Sequence, residues 1–64
     1  MSMITQDDVA AFEALLAKIA DAEQETRDLV ARLQRKADWR HYDLQTAVSP
    51  RLADAHEAAR RIIR

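Results

Sequence analysis

Apolar residues recur at three- and four-residue steps through the first half of the chain: Phe12, Leu15, Leu16, Ile19, Ala22, Leu29, Val30 and Leu33, with Thr26 at the same period. That spacing keeps one face of a helix apolar. Its start is marked by Thr5 as N-cap, by Asp8 three residues on as the reciprocal acidic partner, and by Ile4 and Val9 placed as a hydrophobic staple. Asp7 and Asp8 favour the positive end of the helix dipole. The pattern predicts a first helix from about Gln6 to Ala37, roughly 48 Å long at 1.5 Å per residue.

A second start signal stands at Val48-Ser49-Pro50, with Ser49 as N-cap, Pro50 in the first turn where its missing N–H costs nothing, and Val48 stapled against Ala53. The apolar face of this helix carries Leu52, Ala55, Ala59 and Ile62 or Ile63, and it ends in Arg60, Arg61 and Arg64, which suit a helix C-terminus. It spans about 21 Å, less than half of the first. Between the two helices, Asp38 to Ala47 reads equally as an extension of helix one, a short helix, or an ordered loop packed by Trp39, Tyr42 and Leu44.

The predicted architecture is all-α, with residues 1–64 forming a single domain. A long helix and a shorter one make a hairpin, and because the short helix leaves much of the long apolar stripe uncovered, two hairpins are expected to assemble as a homodimer with a four- or six-helix core. Phe12, Leu16, Ile19, Leu29, Val30 and Leu33 are the expected oligomer contacts. A long two-stranded coiled coil fits less well, because Glu23 and Thr26 interrupt the seam in its middle. These two polar residues are expected at the edge of the core.

Composition sharpens the need for a partner. Of 64 residues 31 are hydrophobic, but 13 of those are alanine and only 14 are Leu, Ile, Val or Phe, so helix propensity is high and large core side chains are few. No cysteine is present, which removes disulfides, thiolate chemistry and cysteine zinc sites. No glycine is present either, so phosphate-cradling loops, dinucleotide fingerprints and the usual calcium loop are missing. No apolar run approaches the length of a bilayer span and the opening residues do not resemble a signal peptide, so the expected location is cytoplasmic and off the membrane.

Charge divides along the chain although the total is only -1: residues 1–31 carry seven acidic and two basic groups, residues 32–64 four acidic and eight basic. This asymmetry would guide the pairing of helices more than hold it. The densest cluster is Arg32, Arg35, Lys36, Trp39, Arg40, His41 and Tyr42, the leading candidate for partner binding. If the helix persists there, three- and four-residue steps set basic groups beside an indole on one face.

No catalytic constellation stands out. His41 with Asp43, and His56 with Glu57, lack the three- or four-residue spacing that shares a helix face, and neither histidine has an activated nucleophile or a metal-ligand motif beside it. Asp21, Glu25 and Asp28 read as an exposed acidic ridge. The expected function is therefore non-catalytic protein binding, as an adaptor or regulatory module working as a helical oligomer, with no cofactor and no metal. A nucleic-acid-associated regulator, with Arg32, Arg35, Lys36 and Arg40 on phosphates and the aromatics on bases, is the alternative. A small enzyme with a site at a subunit junction is the third and weakest class.

Overall fold

A computed structural model describes residues 3–62. Three α-helices follow one another: α1 (Gln6–Arg35), α2 (Arg40–Asp43) and α3 (Ser49–Ile62), with a π turn over Leu44–Val48 between the last two. There is no strand among the described residues. Helix α1 opens on the expected capping box: the Asp8 N–H donates to the Thr5 hydroxyl (3.2 Å) and the Thr5 N–H donates to the Asp8 carboxylate (3.0 Å). The staple expected from Ile4 does not cover that residue, which stays 63% exposed.

Helix α1 ends two residues before the expected Ala37, and it ends without glycine. Ala37 takes the left-handed conformation (φ 56°), the Asp38 N–H donates to the Leu33 carbonyl (2.9 Å), and the Ala37 N–H donates to that of Gln34 (3.0 Å). This is the Schellman pattern, in which a glycine would ordinarily stand where Ala37 does.

The stretch left open by the sequence is helical. From Arg40 onward the chain passes through α2 and the π turn into α3 without leaving helical geometry, and Ser49 has φ -56° and ψ -47°. Ser49 is thus no N-cap, and the expected helix start at Val48-Ser49-Pro50 is corrected to an internal position of a longer return limb. Pro50 explains the π turn. It lacks an N–H and its ring crowds the carbonyl four residues back, that of Thr46. The wide turn before it, in which the Ser49 N–H reaches Leu44, opens the ladder at that point. The Thr46 hydroxyl donates to the Tyr42 carbonyl (2.9 Å), and Arg51 donates to that of Ala47 (2.8 Å). The return limb from Arg40 to Ile62 consequently spans roughly 34 Å, about three quarters of α1 rather than less than half.

The limbs pack antiparallel. Glu23 on α1 meets His56 on α3, which fixes the register. Only Val30 (7% exposed) and Ala59 (9%) are buried, and no side chain is fully enclosed. Leu52 is half-buried on the face turned to α1, whereas Ala55 and Ile62, expected on that same face, are exposed. Ile63 and Arg64 lie outside the described residues. The molecule measures 52 × 16 × 13 Å with a radius of gyration of 15.3 Å, against about 10.7 Å for a compact domain of this length.

Two measurements follow from this backbone. Replacing Ala37 with glycine removes the left-handed penalty of a β-carbon and is expected to raise unfolding stability by about 0.5–1 kcal/mol in urea melts, while Ala37→Val should lower it. The Asp8 carboxyl is held below its ordinary 3.8, first by the backbone N–H of Thr5 and then by the Thr5 side chain. A lowered carboxyl stabilises the fold above its unfolded value, and that contribution disappears as pH falls through the folded one. Helicity followed by circular dichroism should therefore decline below about pH 4, and Asp8→Asn should make the decline shallower.

Candidate binding site at the turn of the hairpin

The turn is organised by Asp38. Its carboxylate accepts the Arg40 backbone N–H (2.9 Å) and the Arg40 Nε–H (3.1 Å), and its carbonyl accepts the His41 N–H (3.3 Å) and the His41 Nδ1–H (2.6 Å). One short side chain thus supplies the start of α2 with its acceptor, as an N-capping residue does. The backbone N–H of Arg40 is the main cause holding the Asp38 carboxyl below its ordinary value. A carbonyl only accepts, so His41 carries hydrogen on Nδ1. These bonds give His41 a structural role at this end of the molecule.

The candidate residues collect at the same end, but on two elements. Arg32 and Arg35 are exposed in the last turn of α1, and Lys36 caps it, also exposed. The chain reverses at Ala37, so Trp39, Arg40 and Tyr42 belong to the beginning of the return limb and do not continue the α1 face. Trp39 is 68% and Tyr42 64% exposed, so neither closes the end of the bundle. The Arg40 side chain stays 67% exposed while tethered to Asp38. The result is four exposed cations and two exposed aromatic rings at one end of the hairpin, divided between the end of α1 and the start of the return limb.

The expected oligomer contacts are divided by the hairpin. Val30 is buried within the hairpin, Phe12, Leu16, Ile19 and Leu33 are half-buried, and Leu29 is 37% exposed. At the start of α1, beyond the end of α3, Met3, Ile4, Asp8, Ala11, Phe12 and Leu15 line an open apolar groove.

Compared with known protein families, curated proteins and solved structures, the chain matches none.

The geometry of the hairpin adds one pair the sequence reading did not join. The His56 Nδ1–H donates to Glu23 Oε1 at 2.5 Å, with the two side chains 30% and 18% exposed. Glu23 was visible as an acidic interruption in an apolar seam; its partner, 33 positions away, is set only by the register of the hairpin. The pair has no third His, Cys, Asp or Glu beside it among the described residues and so is not a metal site of three or more ligands. No helix among them is long and apolar enough to cross a membrane. Glu23 and His56 instead hold two limbs together at a point where the core is thin. A double-mutant cycle of Glu23→Ala and His56→Ala, read by urea unfolding, is expected to give a coupling energy of about 1 kcal/mol; additivity would assign the pair no part in the register.

Proposed function

We propose that this chain is a non-catalytic protein-binding module, an adaptor or regulator that works as a homodimer and presents its basic and aromatic turn to a partner. The observation that carries the reading is the amount of surface the hairpin leaves uncovered, together with the large apolar side chains exposed on it. A folded monomer of 7.3 kDa exposes about 4,200 Å² by the usual size scaling, whereas this chain exposes 5331 Å². The excess, about 1,100 Å² per protomer, is of the size that a stable dimer buries. Ile4, Leu15, Leu29, Val48 and Ile62 are among the exposed side chains, and contiguous apolar surface of this kind marks an interaction face.

The turn supports the second half of the proposal. Tryptophan, tyrosine and arginine are the residue types that dominate binding hot spots, and here all three stand exposed on a backbone already ordered by Asp38. Four cations favour an acidic protein surface as the target. The same exposed rings amid cations favour one alternative, nucleic acid bound through phosphates and stacked bases.

Sedimentation equilibrium over micromolar concentrations, with helicity followed in the same samples, tests the proposal. A helical dimer is the expected result, and Leu29→Asp should weaken it at least about tenfold. A helical monomer throughout the range overturns the dimer. Anisotropy titration of a labelled 20-nucleotide single strand separates the two partner classes: no binding at physiological salt is expected. Binding that weakens steeply with salt and is lost in Arg35→Glu with Arg40→Glu would replace protein binding by nucleic-acid binding.

A further inference from the structure

The exposed apolar residues are not scattered over the hairpin. Leu15 and Leu29, both exposed, repeat with the half-buried Ala22 every seven residues on α1, and the exposed Val48, Ala55 and Ile62 do so on the return limb. Those before Ile62 each stand one residue ahead of a position turned toward the other limb. Ala22 and Leu29 precede Glu23 and Val30, and Val48 and Ala55 precede Ser49 and His56. One residue back along a right-handed helix is a rotation of about 100° about that helix's own axis. The axes are opposed, so the two rotations carry both lines to the same side of the hairpin. Four of the eight large exposed hydrophobics of the described residues, Leu15, Leu29, Val48 and Ile62, therefore share one face. The other face carries polar groups such as Gln24 and Arg27, hydrogen-bonded to each other at 2.8 Å.

We infer that this face is closed by a second copy of the chain laid antiparallel, with the two-fold axis beside Ala22 and Ala55. This deepens the homodimer reading and rests on it. The excess surface is of the size that a dimer of hairpins buries, and with a second copy the layers match. Leu15 lies level with the partner's Leu29, the alanines meet at the centre where the hairpins approach closely, and Val48 and Ile62 fill the flanking layers.

Charge selects the antiparallel orientation. Lys18 and Glu25 flank the apolar line of α1, are exposed, and have no ion-pair partner among the described residues. With the axis at Ala22, Lys18 lies at the height of the partner's Glu25, and Asp8 at the height of the partner's Lys36. A parallel pair would place Lys18 on Lys18 and Glu25 on Glu25. It would also bring the two basic turns together, whereas the antiparallel pair sets each turn beside the acidic start of the other α1. The open groove around Ile4, Ala11 and Leu15, which the described part of α3 does not line, is then covered by the turn half of the partner. The two Trp39 and Arg40 surfaces end up at opposite ends of the particle, so the dimer is a two-ended connector.

The chain has no cysteine, so a single spin label is unambiguous. Labels are placed at Asp21→Cys and, separately, Arg35→Cys, both exposed and off the apolar face, and distances are read by double electron-electron resonance on samples whose mass is known from sedimentation. The antiparallel dimer predicts a short distance, about 20 Å, at position 21 and a long one, roughly 40 Å, at position 35. Short distances at both positions mean a parallel dimer, and a long distance at position 21 means a different interface. Either overturns this inference while leaving the homodimer standing. A monomeric mass with no dipolar coupling overturns both.

Discussion

Two helices laid side by side share one seam, and each can bury only the strip of its surface that faces that seam. Everything else in this protein follows from that limit. The long strip on α1 and the shorter one on the return limb enclose Val30 and Ala59 and leave the remaining apolar side chains half-covered or exposed. Hydrophobic burial in proportion to area then gives a hairpin little to set against the entropy of ordering its residues. A polar contact, Glu23 with His56, occupies the middle of the seam. Such a contact contributes less to net stability than to alignment: a slip of one residue along either helix would leave both groups part-buried and unpaired.

The two ends of the hairpin are built differently. The turn is rigid in construction, closed by a Schellman pattern and by the four bonds that Asp38 accepts, although it contains no glycine and requires Ala37 to sit at a positive φ. The opposite end is open, because α1 extends past the described end of α3 and carries an apolar groove there. One end is thus polar, hydrogen-bonded and set with exposed aromatics, and the other is apolar and open. Charge is divided between the limbs' regions rather than the ends: acidic groups run along α1 from Asp7 to Asp28, and Arg32, Arg35, Lys36 and Arg40 gather at the turn.

Local signals were legible where the physics is local. Thr5 and Asp8 announced the beginning of α1 because a capping box is contained within four residues, and the heptad spacing of apolar positions gave the face of α1. The end of α1 was misplaced by two residues because the usual glycine marker is replaced by Ala37. Ser49 and Pro50 looked like a helix start because the same residues also fit inside a helix once a π turn makes room for the proline, and nothing in their immediate neighbours distinguishes the two. The basic and aromatic cluster was legible as a composition, but its arrangement on two elements depended on where the chain reversed.

What the sequence by itself determined is helicity, the amphipathic strip of α1, its capped beginning, and the separation of acidic from basic charge, all properties of residues within a few positions of one another. Tertiary structure alone decided the pairing of Glu23 with His56, the continuous return limb, and the fact that the second apolar line of each helix falls on one shared face. The physical reason is register. Which residues meet across an antiparallel seam, and to which side a flanking line is turned, depend on how two axes are set against each other, and no window along a single helix contains that information.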